Sequence, residues 1–430
     1  MFTKILTKLG YTKEETSWIL YDIGNSAQVL TTMTVLFPLL IASITPGDST
    51  VYVGWANAAY ALILAFLSPI LGTIADYKGK KKRFFKFFLY LGIAAGFLLA
   101  MPFFDWRACV VLYVLAMIGY TGANIFYDAF LVDVTTDERT HTVSAAGYAW
   151  GYIGSVLPFI VFIIPFALVT LLGGDLEYIM IGSFKLTNRL AITISMVCAV
   201  AWWFAYSRPI LRNVHQVHYH EEVPHVVRES FKRLVTTFKN LSKNRNVFLF
   251  CLAYFFYIDA VNTVISMAIS LATDMGIDQI VSLAVVIFIN IIACPGSIIF
   301  GRLATRFGGK KMILTAIMGY LVIVLVGSQL SKNAGLIWVV GFLVGMFQGG
   351  IQAVSRSYYA LLIPEKEDSN EYFGFFEIFS KFAAIIGPVI ISVLTMATGK
   401  PEIAILGLIP LMLLGTIFLL MVKDKEVKAS

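Results

Sequence analysis

Charge is scarce in this 430-residue chain: Asp, Glu, Lys and Arg together supply 14% of it, against about 25% in an ordinary soluble domain. With 58% hydrophobic residues it has too little polar surface to coat a water-soluble core, which excludes a soluble globular protein. Cysteine is scarce too. Cys109, Cys198, Cys251 and Cys294 all fall within apolar runs, which excludes a disulfide framework and leaves buried free thiols. Catalytic signatures are missing: there is no phosphate-cradling glycine loop before a basic helix, no zinc-spaced histidine pair and no nucleophile elbow. No enzyme activity, cofactor or metal site is therefore expected. The amphipathic start MFTKILTKLGYTKEET leads straight into the first apolar run. It lacks a small-residue cleavage pattern, so no cleavable signal peptide is expected.

What the chain has is apolar length. A helix needs about 20 apolar residues to cross the hydrocarbon core. Twelve segments qualify: 17–44, 51–75, 84–104, 108–132, 143–172, 189–206, 247–272, 280–300, 312–331, 336–360, 373–398 and 402–422. Those at 17–44 and 143–172 run long and are expected to tilt or to extend beyond the membrane. The segment GTIADYKGKKKR (Gly72 to Arg83) has a weaker copy in GRLATRFGGKK (Gly301 to Lys311). Each pairs two glycines seven apart, Gly72/Gly79 and Gly301/Gly308, with basic residues that follow. The offset is about half the chain, which points to two fused, similar halves. The expectation is an all-α membrane protein whose twelve transmembrane helices form two pseudo-symmetric six-helix bundles, 1–206 and 247–430, joined by a linker at 207–246. Secondary transporters have this architecture, with the substrate site where the halves meet. Its surroundings are then a lipid bilayer, its partner a small-molecule substrate, and its working unit a monomer.

Lysine and arginine placement sets the orientation. With the N-terminus inside, twenty-seven of them fall on inside segments and five on outside segments, with Lys381 within a span. That asymmetry predicts that both termini are cytoplasmic. The net charge of +7 is thus a topology signal, and no nucleic-acid partner is implied. Within the linker, PHVVRESFKRLVTTFKNLSKN places Val226, Phe231, Leu234, Phe238 and Leu241 near one face. This predicts an amphipathic helix along the inner leaflet, started by Pro224. The same linker holds His215, His218, His220 and His225, whose spacing matches no closed metal-ligand set. A solvated polar linker is the plainer explanation of that cluster.

Ionisable residues inside spans carry the functional argument, because charge in hydrocarbon costs several kcal/mol. Asp22 with Asn25 and Asp259 with Asn262 form two Asp-x-x-Asn pairs, each presenting a carboxylate and an amide on one helical face. In the two-halves arrangement they are expected to face each other across a central cavity. Asp128 and Arg356 occupy equivalent positions near the ends of spans four and ten. Opposite charges there form either a gate or two local pairs, Asp128 then meeting Arg83 or Arg139. Span eleven carries Glu377 and Lys381 four apart, on one face. They are either a self-neutralising pair or an anchor for a substrate carboxylate beside a titrating acid. Pro158 and Pro388 mark matching kinks. Asn57, Asn124, Asn290, Gln348 and Gln352 offer further hydrogen bonds. Trp55, Trp150 and Tyr257 are candidate cavity walls.

Four stretches carry a family resemblance: WILYDIGNSA, FYDAFLVDVTTDERTHTVSAAGYAWGYIG, YFFYIDAVNT, and QGGIQAVSRSYYALLIP followed by FGFFEIFSKFAAIIGP. They are similar to the vacuolar amino-acid effluxers linked to autophagy and their bacterial relatives. The Gly72–Arg83 segment resembles the cytoplasmic loop signature of the major facilitator superfamily. The resemblance implies the major facilitator fold and alternating access, and the fungal members are associated with amino-acid export from the vacuole. It also implies that Asp76 stabilises a cytoplasm-closed state by meeting basic residues or a helix end. The second copy has Thr305 at that position.

The expected function is proton-coupled export or exchange of amino acids or similar small metabolites, in a bacterial cytoplasmic membrane. Asp22, Asn25, Asp259, Asn262, Lys381 and Tyr257 are the substrate candidates. Asp259, Glu377 and Asp22 are the proton carriers, and Asp128, Arg356, Asp76 and Arg83 the gating residues. Transport of lipids or amphiphilic drugs, of another small metabolite, and a non-transporting receptor or scaffold are the alternatives.

Overall fold

The computed structural model describes residues 2–45, 49–173, 176, 178–221, 244–266, 275–276, 279–383 and 385–423. The predicted amphipathic helix of the linker lies outside the described residues. Among the described residues, twelve helices are long and apolar enough to span a membrane. They are α1 (Lys13–Ile44), α2 (Val51–Ala75), α3 (Lys80–Ala100), α4 (Trp106–Ala129), α5 (Asp137–Phe162) and α6 (Asn188–Asn213) in the first bundle. The second holds α7 (Arg245–Ser266), α8 (Ala284–Phe307), α9 (Gly309–Gly327), α10 (Leu336–Leu362), α11 (Lys366–Thr398) and α12 (Pro401–Met421). Buried aromatics fill both interiors, among them Trp18, Tyr21, Phe85 and Trp203 in one bundle and Tyr257, Tyr320 and Tyr359 in the other. Phe66, Phe97, Val322, Leu325 and Val393 are exposed, an apolar perimeter suited to lipid.

The repeated glycine pairs have two separate physical causes. The first glycine of each copy is where the other bundle crosses. A Cβ on Gly72 of α2 would run into the Asn370 carbonyl of α11, and one on Gly301 of α8 into Ala145 of α5. These contacts are pseudo-symmetric mates, so the repeat records a shared interface. The second glycine turns the chain: Gly79 has φ 71° and Gly308 φ 92°, backbone that a side chain disfavours.

Three spans depart from straight helices. In α1 the Thr12–Glu15 capping box starts the helix, and residues Val29–Leu36 widen into a π-helix. The apolar run expected at 143–172 is two helices, with α5 ending at Phe162 and a shorter helix at Ile164–Gly173. In α11 the helix stops at Phe382 and restarts at Ile386. Pro388 then falls in the first turn of the restarted half, where its missing N–H costs nothing. The expected kink therefore lies several residues before the proline. A hairpin not foreseen in the sequence, β1 (Tyr178–Ile181) and β2 (Phe184–Thr187), precedes α6, with Tyr178 opposite Thr187 and Gly182 at φ 60° in its turn. α6 continues to Asn213, beyond the expected start of the linker. All four cysteines are free.

The close approach is testable by overpacking. Gly72→Ala is expected to destabilise the protein by about 1–3 kcal/mol. Gly54→Ala, where nothing lies within 4 Å of the added carbon, is expected to be neutral or stabilising by up to about 1 kcal/mol. Thermal unfolding of the two purified variants measures this, and equal midpoints would contradict the crossing at Gly72.

Candidate functional site

The bundles meet at the end where α1 begins and α12 finishes, and a buried guanidinium sits in that seam. Arg356 on α10 is 4% exposed. Its Nη1 donates to Asp128 Oδ1 at 2.9 Å, its Nε to Ser144 Oγ at 3.0 Å, and its Nη2 to the Ser144 carbonyl at 3.0 Å. All three acceptors belong to the first bundle. The guanidinium also stands 4.3 Å from the Tyr148 ring centroid, 4.7 Å from Trp18 and 5.6 Å from Tyr127, three aromatic faces that favour a cation. Arg139, the local alternative for Asp128, instead holds Glu15 with two bonds of 2.8 Å.

Asp22 belongs to this cluster. A Cβ on Gly147 of α5 would stand 3.0 Å from Arg356 Nη2 and 3.1 Å from Asp22 Oδ2, so the two charges flank one glycine. Asp22 Oδ1 accepts from Ser26 at 3.5 Å, whereas Oδ2 is buried with no hydrogen-bond partner among the described residues. Asn25 is turned within its own bundle, donating to Asn124 at 2.6 Å.

Asp259 does not meet Asp22. Its carboxylate accepts the Gly387 amide at 3.1 Å through each oxygen, at the restart of α11, where the helix N-terminus favours negative charge. The expected facing of the two Asp-x-x-Asn pairs is therefore replaced by two different settings. Asn262 is half-buried one turn further along α7. Tyr257 is fully buried, with its hydroxyl 2.6 Å from Ser355 Oγ and its Cβ against Gly415 of α12. It is packed inside its bundle, which corrects its expected place on a cavity wall. Trp55 is 73% exposed near the start of α2.

Lys381 and Glu377 bond each other at 3.1 Å, with side chains 24% and 16% exposed. The Lys381 ammonium also lies 5.8 Å from the Tyr60 ring of α2. The pair thus stands at the boundary between bundles, partly open, beside an aromatic face of the opposite half.

Around the Arg356 cluster the seam is closed by polar contacts. Asp76, in the turn after α2, accepts from the Asn370 amide at 2.9 Å, from Asn370 Nδ2 at 2.8 Å and from the Glu371 amide at 3.3 Å. It meets the first turn of α11, a helix end. Thr305, its counterpart, reaches Thr142 alone among the described residues across the seam, at 3.4 Å. Arg83 is exposed on α3, has no ion pair with a described residue and makes none of the seam contacts above. Lys81, which nothing distinguishes from its neighbours in the basic run, is fully buried. It donates to Asp133 at 2.6 Å and to Ser369 Oγ of α11 at 3.1 Å. Asp133 also accepts the Val217 and His218 amides at 2.9 Å. The histidine-rich linker is partly docked here: His218 Nδ1 is 3.1 Å from Asp133 and His220 Nε2 is 2.7 Å from Asp368. Trp18, Tyr148, Ser144 and Asp133 were legible only as members of apolar or polar runs, because burial against a cation leaves no local signature.

A twelve-helix, two-bundle fold with a buried ionic seam defines a membrane protein of the major facilitator class. The solved transporter FucP, described in the outward conformation, superposes with a TM-score of 0.71 over 95% of this chain and 100% of its own, at 15% identity. The family described as vacuole effluxer Atg22-like matches residues 46–429, and the chain belongs to it. A Bacillus subtilis relative, YxiO, described as an uncharacterized MFS-type transporter, is 43% identical over 423 residues, 96% of each chain. Autophagy-related protein 22 of Kluyveromyces lactis is 24% identical over 310 residues, 66% of this chain and 59% of its own.

The seam has a pH signature. Burial pushes the Asp133 carboxyl up, but the Lys81 ammonium and His218 outweigh it and hold it below the usual range. A depressed carboxylate adds stability above its unfolded pKa, near 3.9, and loses it as pH falls through the folded value. Asp133→Asn is expected to cost about 3–5 kcal/mol at neutral pH by leaving Lys81 unpaired. The deficit relative to the natural protein should be constant above about pH 5 and shrink below about pH 4. Thermal midpoints across pH check this, and a pH-independent deficit would contradict it.

Proposed function

We propose that this MFS-type transporter is a secondary active carrier that works by alternating access, and that the described state is closed at the terminus end. The observation that carries this reading is Arg356: a cation of one bundle is held by Asp128 and Ser144 of the other. Separating the bundles at this end has to break all three bonds and expose an aromatic cage, so the cluster acts as a reversible lock. Asp76 at the α11 helix end and Lys81 at Ser369 reinforce it. The excess of Lys and Arg near this face supports a cytoplasmic location for both termini, in a bacterial inner membrane.

The cargo is proposed to be amino acids or similar small metabolites, exported or exchanged with proton coupling. Lys381 supplies a partly open ammonium for a substrate carboxylate, beside Glu377 and the Tyr60 ring. Asp22, with its unpaired Oδ2 next to Arg356, is suited to exchange a proton as the lock opens. Asp259 is the second acid for that role. One observation favours the amphiphile alternative: an apolar cavity of about 110 Å³ inside the second bundle, with Gln348 and Asn290 among its lining. None of Asp22, Asp259 or Lys381 lines it.

Counterflow of labelled amino acids in reconstituted liposomes tests the cargo, and a folded protein without counterflow ends the assignment. Lys381→Gln is expected to reduce that counterflow at least tenfold. Asp259→Asn preserves the acceptor for the Gly387 amide while removing the titration. Full pH-driven uptake in this variant would exclude Asp259 as the proton carrier. Arg356→Gln is expected to raise thiol labelling of a Thr142→Cys reporter at the seam severalfold. Unchanged labelling would show that Arg356 does not hold the bundles together.

A further inference from the structure

We propose that the lipid-facing side of α3 and α6 carries a binding site for one anionic phospholipid. Its phosphate is held by a basic cleft at the start of α3, and one acyl chain lies in the apolar groove beyond. This inference needs the membrane setting of the fold and is independent of the transported cargo.

The cleft, of about 400 Å³, is walled by Lys78, Lys82, Arg83 and Lys86 on one side and by His215 and Tyr219 of the linker on the other. It surrounds a helix beginning of unusual electrostatics. Gly79 precedes α3 at φ 71° and, as the N-cap residue, offers no side-chain cap at the positive end of the macrodipole. The sequence then adds KKKR at that same end, where each cation costs about 0.3–1 kcal/mol. Part of this charge is answered within the chain. Lys78 pairs with Glu221 at 3.3 Å, and Lys82 donates to the Val214 carbonyl at 2.6 Å. Arg83 and Lys86 are exposed and have no acidic partner among the described residues. A helix start lined by such cations is a receptor for phosphate.

What assigns the phosphate to a lipid is the surface that continues from the cleft. A groove of about 430 Å³ runs between α3 and α6, lined by Tyr90, Ala94 and Phe97 of one helix and Val197, Ala201 and Phe204 of the other. Lys86, Tyr90, Ala94 and Phe97 follow one face of α3 at near-helical spacing. At 1.5 Å per residue, Lys86 to Phe97 spans about 16 Å, comparable with one leaflet of a hydrocarbon core about 30 Å thick. Tyr90 and Phe97 are 48% and 47% exposed, so the groove opens outward to lipid. Its alanines, Ala94 and Ala201, are exposed and small, leaving room between the flanking rings. On α6 the Arg208 guanidinium stands 4.9 Å from the Phe204 ring, placing another cation where the groove meets the head-group level. Positive charge at the membrane surface above a chain-shaped apolar channel is the order in which a phospholipid presents its parts. Basic pockets between spans suit such head groups.

The purified full chain in detergent tests this with phosphatidylglycerol, phosphatidylcholine and inorganic phosphate as probes. Phosphatidylglycerol is expected to raise the thermal midpoint by several degrees, because a ligand of the native state stabilises it. Phosphatidylcholine and inorganic phosphate at equal concentration are expected to shift it little. Native mass spectrometry is expected to show one retained phosphatidylglycerol. Arg83→Gln with Lys86→Gln should remove most of the shift, and Ala201→Leu, which fills the groove, should remove it without altering charge. Arg302→Gln with Arg306→Gln, an equal charge loss on an exposed part of α8, should keep it. Equal loss in that control would reduce the effect to general electrostatics and overturn the site. Protection by inorganic phosphate alone would overturn the lipid assignment. An undiminished shift in Ala201→Leu would overturn the groove.

Discussion

A guanidinium shut away from water has to be answered on every side, and in this protein the groups that answer Arg356 belong to the other bundle. Removing it from solvent carries a penalty of several kcal/mol that only well-placed acceptors repay. Asp128, both oxygens of Ser144, and the faces of Trp18, Tyr127 and Tyr148 supply them. The two halves are thereby fixed in one register at this end. Because those partners are ionic and polar, the contact is strong when complete and poor when half-made. That property favours two discrete arrangements over a gradual loosening.

The remaining seam contacts share this logic. Asp76 meets the α11 helix end, and Lys81 bridges Asp133 and Ser369. Both reside in or beside the turn after α2, whose second glycine allows the chain to reverse and whose first admits α11 closely. The related copy after α8 keeps the glycines and lacks the acid. The seam is therefore symmetric in packing and asymmetric in electrostatics. The histidine-bearing linker reinforces the charged half by placing His218 on Asp133 and His220 on Asp368. The described stretch of the linker, through His218 and His220, is thus part of the seam between bundles.

Much of the architecture was readable from residue order. Apolar length gave twelve spans, and the glycine pairs gave two halves, because both depend on properties that each segment carries by itself. The break in α11 was displaced from Pro388 because a proline is tolerated in a first helical turn. The restart is set instead by Asp259 accepting the Gly387 amide from a different helix. The hairpin before α6 is not legible in the sequence because its strands are four residues each and lie between a short apolar helix and a long one.

The sequence by itself determined that the chain is a membrane protein of twinned bundles, and that it keeps charge where hydrocarbon penalises it. It also singled out Asp128 and Arg356 as equivalent positions of opposite sign. Only the tertiary structure decided which charge meets which: Asp22 beside Arg356, Asp259 on a helix start, Tyr257 sealed within its own bundle. The physical reason is range. Hydropathy and glycine geometry act within a few residues along the chain, whereas an ion pair depends on distance between segments far apart in sequence. Its strength depends in turn on the burial that only the completed packing creates.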